Sequence, residues 1–347
     1  MEINRGKMKK KKKLAVIDGD ILAFRCAAAN ERRTVKAIHK DTLEETVFST
    51  ATKFKEWAGQ EADNYELIPQ QEADELQFAF KMMKQLIQSI VEEAKCDSYH
   101  IVISGEHNFR QALPLPTKYK DSRVDTVRPL QLADCKEYLI HHHNAEIAEG
   151  EADDLLTGYM WQGFQDDEYV VQCSLDKDAK HGPGWLYDWT HMSEPELIEG
   201  YGGLELILKE TARVKADGSP VMDKEVKGKG RAFLYYQMVF GDPVDSYKPC
   251  ELAKAKFGQI GAYDLLKNAK TDKEALEAVV RQYKKWYPKP VTYRCWEGKL
   301  HTKNWLEIFQ MYADCAFMRR FEGDRFDVEK VLTKMGIQFK EEQNAVG

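Results

Sequence analysis

The sequence predicts an α/β protein with a mostly parallel, twisted sheet flanked by helices. Short apolar runs at 14–18, 100–104 and 169–174 have the length of buried strands, and residues with helical apolar spacing lie between them. Strands that alternate with helices along a chain typically form a parallel sheet covered on both faces. The 347 residues are enough for one large domain or two smaller ones.

Each element is predicted from its own pattern. After the strand at 14–18, a helix is expected over 21–30, and loose alternation over 33–58 indicates an inserted hairpin. From Glu72 to Ala94, apolar residues recur at helical spacing. The later predictions are helices at 130–139 and 151–161, short strands at 146–147 and 185–189, an excursion at 203–230 that turns at Asp217-Gly218, and an amphipathic helix at 304–320.

The chain divides into three parts. Residues 1–13 are expected to be a disordered basic tail, because Lys9 to Lys13 is an unbroken run of lysines. Residues 14–240 carry the alternating strands and helices, and residues 241–347 are mainly helical in pattern. We therefore predict an α/β core followed by a helical region packed on it.

Composition excludes several classes of protein. No apolar run approaches the roughly 20 residues that span a bilayer, so we expect a cytoplasmic protein without a membrane partner. The seven cysteines are scattered and show no Cys-x-x-Cys spacing, which argues against a zinc ribbon or a disulfide framework. The net charge of −6 argues against a uniformly basic nucleic-acid binder, although an acidic pocket can offset basic surface elsewhere.

Four acidic clusters each follow, or sit within, an apolar run. They are Asp18-Gly19-Asp20, Glu151-Ala152-Asp153-Asp154, Asp176-Lys177-Asp178 and Asp242-Pro243-Val244-Asp245. In open α/β sheets ligands bind beyond the carboxyl ends of the strands. A single Asp-x-Asp is more often a turn or a helix cap, but four such clusters favour one pocket whose mutual repulsion a cation relieves.

All-oxygen ligands select Mg²⁺ or Mn²⁺ over zinc or copper. Two ions about 4 Å apart would suit phosphodiester hydrolysis, since they stabilise both the attacking and the leaving oxygen. On the predicted helix, Glu151 and Asp154 share a face, whereas Asp153 is rotated away and can meet a second ion or another partner.

The segment from His107 to Arg128 is basic and broken by prolines. Its cations are Arg110, Lys118, Lys120, Arg123 and Arg128, against two aspartates, and Phe109 and Tyr119 lie among them. Cations interleaved with aromatic residues are typical of surfaces that bind single-stranded nucleic acid.

Taken in order, the motifs D-G-D, Y-K-x-x-R, E-A-D-D, S-x-D-K-D and G-D-x-x-D resemble those of the flap-endonuclease-like (PIN-like) 5′→3′ nucleases. The sequence is most similar to the stand-alone exonucleases of bacteriophages. The resemblance runs from about Leu14 to Leu266, with a weaker echo from Gln310 to Phe321. It implies a helical arch at 107–128 through which a single strand passes, and a helix-three-turn-helix-like, DNA-binding element beginning at Gly241.

Carried over by position, the resemblance implies a role for each group of residues. The first metal ion would be held by Asp18, Glu151, Asp153 and Asp154, and the second by Asp176, Asp178, Asp242 and Asp245. Lys120 matches the active-site lysine and Arg123 the phosphate-contacting arginine. The expected DNA contacts are Arg110, Lys118, Tyr119, Arg128, Gly258 and Gly261, with Tyr119 stacking on an unpaired base.

Two positions depart from the family pattern. Where the family places another aspartate after the second strand, this chain has Ser104-Gly105-Glu106, so that Glu106 either replaces the ligand or the ligand is missing. The duplex-binding hairpin has Gly258 and Gly261 in place of a Gly-x-Gly core, after a stretch that contains Lys248, Lys254 and Lys256.

The expected function is a two-metal 5′→3′ exonuclease or flap endonuclease that uses Mg²⁺ or Mn²⁺. Its substrates would be DNA with 5′ ends or flaps, with RNA–DNA hybrids in addition. We expect a monomer that works with replication proteins, in the host cytoplasm if the chain is of phage origin.

Two other functions compete with this one. A haloacid-dehalogenase-type phosphatase would use Asp18 as nucleophile, but leaves Glu151 to Asp154 and the basic segment without a role. A non-catalytic nucleic-acid-binding protein of the same fold would gain nothing from an acidic pocket that repels phosphate.

Overall fold

A computed structural model of the chain describes residues 12–123, 126–214 and 220–339. The first eleven residues of the basic tail and the predicted turn at Asp217-Gly218 lie outside these ranges. Among the described residues, none of the helices combines the length and the apolar character that crossing a membrane requires.

Strands and helices alternate through the first half of the chain, and helices dominate the second. In order they are β1 (Lys13–Asp18), α1 (Gly19–Ala29), β2 (Glu31–His39), β3 (Glu45–Phe48), α2 (Ala51–Ala58), β4 (Tyr65–Ala73), α3 (Leu76–Glu93), β5 (Ser98–Ile103), α4 (Leu132–His143), β6 (Glu146–Ile147), α5 (Ala152–Gln165), β7 (Tyr169–Cys173), β8 (Gly184–Tyr187), β9 (Glu196–Ile198), β10 (Gly203–Val214), β11 (Pro220–Lys229), α6 (Arg231–Phe240), α7 (Gln259–Leu266), α8 (Asp272–Trp286), β12 (Val291–Arg294), β13 (Leu300–Lys303), α9 (Trp305–Ala316) and α10 (Val328–Lys334).

The central sheet has six strands in the order β6-β5-β1-β7-β8-β9. Every neighbouring pair is parallel except β8 and β9. Helices cover both faces, so the predicted α/β class with a mostly parallel sheet is confirmed. Because β1 lies between β5 and β7, its last residue, Asp18, lies near the middle of the edge formed by the carboxyl ends of the parallel strands, which we call the carboxyl edge.

The two faces of β1 lead into two apolar clusters. Ala15 and Ile17 pack with residues of α1, α3 and α4, whereas Leu14 and Val16 pack with Ala152 and Leu156 of α5. This follows from the alternation of side chains along a strand. The contacts of Leu14 and Val16 with α5 fix the position of the start of this helix, where the second acidic cluster lies.

The insertion after α1 is a three-stranded antiparallel sheet in the order β3-β2-β4. The predicted hairpin at 33–58 is therefore present in part, and β4 was not predicted. Pro69 lies inside β4 and lowers the strand signal, but β4 is an edge strand, where a proline is tolerated. The excursion at 203–230 is a long hairpin formed by β10 and β11.

The helical region has its own apolar cluster, formed mainly by α6, α8 and α9. Asn304 and Glu307 form a capping box that begins α9, close to the predicted start. The side chains of α6 belong to this cluster, although α6 lies before the division placed at residue 240. The division into a core and a DNA-binding region stays a prediction.

The basic segment differs from the helical arch that the resemblance implied. Its described residues form only two 3₁₀ helices, Phe109–Ala112 and Asp121–Arg123, joined by a connection of bends and a turn. Pro114 and Pro116 in this connection lack the amide donors that a continuous helix needs. Tyr119 is buried in the cluster of the helical region, so the segment lies against the body of the protein.

Candidate metal centre

Asp18 ends β1 and caps α1 at the carboxyl edge of the central sheet. One carboxylate oxygen accepts a hydrogen bond from the Ile21 amide at 3.0 Å, and the other accepts one from the Ser174 hydroxyl at 3.0 Å. The side chain is buried. Burial raises the pKa of Asp18 to about 7, and the charges of Asp20 and Asp176 add to the effect.

Asp153, in the first turn of α5, faces the same region. Burial raises its pKa well above the usual value, and the charges of Asp176, Asp18 and Glu151 raise it further. Hydrogen bonds join the clusters directly, because Ser104 contacts both Asp20 and the Ala152 amide, and Ser174 contacts both Asp18 and the Asp176 amide. The first, second and third acidic clusters of the sequence therefore meet at one place.

Asp176 and Asp178 follow β7 and belong to the next 3₁₀ helix, Lys177–His181. Asp176 caps this helix by accepting a hydrogen bond from the Asp178 amide at 2.8 Å. Asp178 is buried and accepts one from the Gln237 amide group on α6 at 2.5 Å. Burial raises the pKa of Asp178 well above its usual value, and the nearby Asp176 and Asp242 charges contribute.

Asp242 and Asp245 lie in the tight turn after α6. Gly241 begins the turn with φ +87°, and a Cβ atom there would lie 2.3 Å from the Tyr247 carbonyl oxygen, so only glycine fits. Asp178, Asp242 and Asp245 each offer a carboxylate oxygen, and these three oxygens lie within 4.8 Å of one another. The turn after α6 therefore places Asp242 and Asp245, the fourth acidic cluster, next to Asp178 of the third.

This donor set fits a hard divalent cation. It consists of carboxylate oxygens from three buried residues. Carboxylates packed this closely away from water repel one another unless a cation compensates their charge. The raised pKa values of Asp18, Asp153 and Asp178 have the same main cause, burial, and the negative charges of neighbouring carboxylates add to it. A bound cation would compensate those charges.

Apart from Arg110, which pairs with Glu151 and Asp154, and Lys136, which pairs with Asp20, three cations contact the acidic residues. Lys120 pairs with Glu151, the Arg123 guanidinium lies 2.7 Å from Asp245, and the Lys177 ammonium lies 2.7 Å from Asp242. Lys120 and Arg123, expected to act on phosphate, thus contact carboxylates of the acidic clusters in this structure, and their catalytic roles stay predictions. Lys177, which the sequence analysis did not single out, is the third cation.

The basic segment is fastened to the acidic turn by a set of hydrogen bonds that we call the clasp. It comprises Lys120 N to Asp245 O at 2.9 Å, Tyr119 Oη to Asp245 Oδ2 at 2.6 Å, Ser122 N to Ser246 Oγ at 3.0 Å and Ser122 Oγ to Val244 O at 2.9 Å. Lys120 has a φ of +60°, in the left-handed region that non-glycine residues seldom occupy. The clasp holds this conformation and directs Lys120 to Glu151.

Two residues expected to contact DNA are buried instead. Arg110 is 0% exposed, and Tyr119 is 2% exposed. Neither can reach a nucleic acid in this conformation, so both assignments need correction. The local sequence shows only that Arg110 is basic and Tyr119 aromatic. Their burial depends on hydrogen-bond partners far along the chain, Glu151 and Asp245, which a local pattern does not reveal.

Asp154 also has a different role from the one expected. Arg110 donates to both of its oxygens, at 2.8 and 2.9 Å, and the Arg319 amide donates to one of them at 2.8 Å. Glu151 accepts from the same Arg110 at 2.7 Å, as expected of residues on one helix face. With its oxygens occupied by Arg110, Asp154 lies outside the group around Asp153 and Asp18.

The other expected DNA contacts are dispersed. Lys118 is half-buried beside Trp296, Arg128 is exposed, Gly258 precedes α7, and Gly261 lies within α7 against the Phe257 ring. In the part of the chain that the structure describes, none of these four makes a side-chain hydrogen bond or ion pair with the acidic clusters.

The position after β5 holds a serine network in place of a carboxylate. The Ser104 hydroxyl accepts from the Ala152 amide at 2.9 Å, and the Ser104 amide donates to Asp20 at 2.9 Å. Glu106 is exposed two residues further on. Of the two alternatives, replacement of the ligand by Glu106 or its absence, this exposed placement favours the second, and the carboxylate that contacts Ser104 is that of Asp20.

The raised pKa of Asp18 gives a pH-dependent stability. Between the ordinary value of 3.8 and about 7, only the folded chain holds this proton, so stability without metal falls as pH rises through that window. Asp18→Asn keeps the helix cap and removes the charge. In a chelator we expect it to raise the free energy of unfolding by roughly 1–3 kcal/mol at pH 8, and by much less at pH 5.

The measurement is urea unfolding of wild type and Asp18→Asn at both pH values. Asp188→Asn is the matched control, because Asp188 is also a buried aspartate that accepts from backbone amides, those of Thr190 and His191, but it follows a different strand, β8. A gain for Asp18→Asn of the same size at pH 5 and pH 8 would show that the buried charge is not the cause.

Comparison with known proteins adds one structural likeness. No protein-family model matches the chain, and no curated protein sequence matches it. Among solved structures, the chain is similar to the T5 D15 protein, crystallised with metal ions, with a TM-score of 0.39 and 13% identity over 77% of this chain and 78% of that chain. Proteins this far apart can share a fold and differ in activity, so function has to be argued from the site.

Proposed function

We propose that the protein is a divalent-metal-dependent nuclease that hydrolyses phosphodiester bonds near the 5′ ends of DNA, as a 5′→3′ exonuclease or flap endonuclease. The observation that carries the proposal is the clasp, which holds a cationic segment directly against the carboxylates of Asp242 to Asp245. A site that combines clustered carboxylates with adjacent cations suits a phosphate-containing substrate and metal ions together.

Mg²⁺ or Mn²⁺ is the proposed cofactor, with two ions. Asp178, Asp242 and Asp245 would hold one, and Asp18 and Asp153 the other, with Asp176 between the two groups and Glu151, which pairs with Lys120 and Arg110, beside them. When bound, such ions lower the pKa of water and neutralise charge on the attacking and leaving oxygens.

The cations of the chain have a separate task. A phosphodiester is repelled by the carboxylates, and Lys120, Arg123 and Lys177 offset that repulsion. Arg123 keeps 47% of its side chain exposed, so it can turn from Asp245 to a phosphate oxygen. Lys120 lies deeper and would donate to the oxygen on which negative charge builds up.

The finer parts of the proposal rest on the order of the sequence motifs. These parts are the 5′→3′ polarity, the action on flaps, the additional use of RNA–DNA hybrids, the work with replication proteins, the monomeric state and the place in a cytoplasm. Each is proposed together with the nuclease, and the substrate panel below tests the polarity and the choice of substrate.

A substrate panel tests the proposal. We expect the purified protein with Mg²⁺ to release short products from the 5′-labelled end of nicked, blunt, flapped and hybrid duplexes, and to release none in a chelator. Labelling the 3′ end instead should give products that shorten progressively. Products that shorten from the 3′ end would refute the polarity, and no cleavage of any substrate with either metal would refute the nuclease.

The same preparations separate the competing phosphatase. A phosphatase that uses Asp18 would form an aspartyl phosphate and would hydrolyse small phosphate esters without cutting DNA. A covalent phosphate on wild type that is lost in Asp18→Asn would therefore overturn the nuclease in favour of that enzyme.

A further inference from the structure

Trp296 lies at the tip of the hairpin formed by β12 and β13, next to the basic segment. Its amide donates to the Leu115 carbonyl at 2.9 Å, and its indole N–H donates to the Leu113 carbonyl at 3.2 Å. The Tyr293 hydroxyl, which belongs to the same hairpin, donates to the Pro114 carbonyl at 2.7 Å. The hairpin is therefore fixed to the segment that leads to Lys120.

Trp296 differs from the tyrosines of this region in its exposure. Tyr283, Tyr287 and Tyr293 are buried in or beside the helical cluster, as expected for packing residues. Trp296 is 36% exposed, although two hydrogen bonds fix its backbone and its ring. An indole that is held in place and still partly open to solvent is suited to receive a flat ligand.

The surroundings of the ring are cationic. The Lys118 ammonium lies 5.1 Å from the ring centroid. The hairpin strands and their turn carry Arg294, Lys299 and Lys303 against the single carboxylate of Glu297, which pairs with Lys299. A polyanion with aromatic rings is the ligand that matches both the charge and the indole.

The position of Lys118 connects this surface to the candidate metal centre. Lys118 is two residues before Lys120, so their Cα atoms are at most about 7 Å apart. A strand whose phosphate lies at Lys120 can therefore place the next phosphate or base near Lys118 and Trp296, because successive nucleotides of an extended strand are separated by a similar distance.

We propose that Trp296 and Lys118 form a stacking platform for the unpaired DNA strand beside the cleavage site. This inference rests on the proposed nuclease function and adds a binding site to it. The indole stacks on one base, and Lys118 moves from the ring to the adjacent phosphate. The task assigned to Tyr119 by the sequence, stacking on an unpaired base, is thereby transferred to Trp296.

Binding without cleavage tests the platform. The probes are two fluorescein-labelled hairpin duplexes in a chelator, one blunt and one with a ten-nucleotide 5′ oligothymidine overhang, read by anisotropy. Trp296→Ala should weaken binding of the overhang duplex roughly tenfold and leave the blunt duplex unchanged, whereas Trp296→Phe should retain most of the affinity. Lys118→Ala should reduce the salt dependence of overhang binding by about one ion.

Trp57→Ala is the matched control, because Trp57 is 55% exposed on α2 of the insertion. It should bind both duplexes as wild type does. Photocrosslinking of 5-iodouracil in the overhang to wild-type protein gives a measurement that needs no variant, and Trp296 should carry the crosslink. Equal overhang affinity for wild type and Trp296→Ala, an equal loss for both duplexes, or a crosslink confined to other residues would overturn the platform.

Cleavage of the same duplexes with Mg²⁺ keeps the two proposals apart. If wild type cuts neither duplex while Trp296→Ala still loses overhang binding, the nuclease function fails and the platform stands. If wild type cuts the overhang duplex and Trp296→Ala binds and cuts it equally well, the platform fails and the nuclease function stands.

Discussion

Replacement of Asp178 by Asn should lower the rate of DNA cleavage roughly 10³-fold and leave DNA binding in a chelator intact or tighter. Asp178 contributes one of three carboxylate oxygens that lie within 4.8 Å of one another. The asparagine can still accept from Gln237, so the fold is kept. It removes one negative charge from a cluster that repels phosphate, and it removes one ligand for a hard cation.

The measurement is a single-turnover rate at saturating DNA with Mg²⁺, accompanied by calorimetric titration of the metal. Asp153→Asn should behave in the same way, because Asp153 shares the region of Asp18 and Asp176. Lys120→Ala should also lose turnover, but it should bind metal more tightly, since Glu151 loses a competing cation.

Asp188→Asn is the control for the loss of a buried aspartate. Asp188 follows β8, is 5% exposed and accepts from the amides of Thr190 and His191, away from the acidic clusters. Its variant should cleave at the wild-type rate per folded molecule. If Asp178→Asn kept more than a tenth of wild-type activity, the three-carboxylate group would not be the catalytic centre.

The sequence predicted five of the six strands of the central sheet, all except the edge strand β9, and it predicted the edge of the sheet at which acidic residues follow the strands. Strand runs such as 14–18 are apolar on both faces because helices cover both faces, and this pattern can be read without a structure. Asp18, Asp176 and Asp178 follow such strands, so their meeting is a consequence of parallel topology.

Side-chain partners were not predictable in the same way. Asp153 and Asp154 are neighbours of the same type, and only the position of Arg110, 44 residues before Asp154, decides which one faces the acidic group. Tyr119 was identified as a base-stacking residue because it lies among cations, but the acceptor that buries it is Asp245, 126 residues later. Trp296 showed no signal beyond its residue type.

Removal of the Arg110 side chain should destabilise the fold more than any other single change considered. Arg110 is fully buried and donates to Glu151, to both oxygens of Asp154, and to the carbonyls of Cys315 and Phe317. Its loss leaves buried carboxylates and carbonyls without their donor. We expect Arg110→Met to lower the free energy of unfolding by roughly 3–5 kcal/mol, measured by urea denaturation.

The double variant Arg110→Met with Asp154→Asn should recover part of that loss, because it removes one of the two uncompensated charges. Arg128→Ala is the contrasting change, since Arg128 is exposed and its replacement should alter DNA affinity without altering stability. The two arginines thus separate the roles that the sequence assigned to both. If Arg110→Met weakened DNA binding at unchanged stability, Arg110 would be a DNA contact after all and the buried network would not hold α5 against the end of α9.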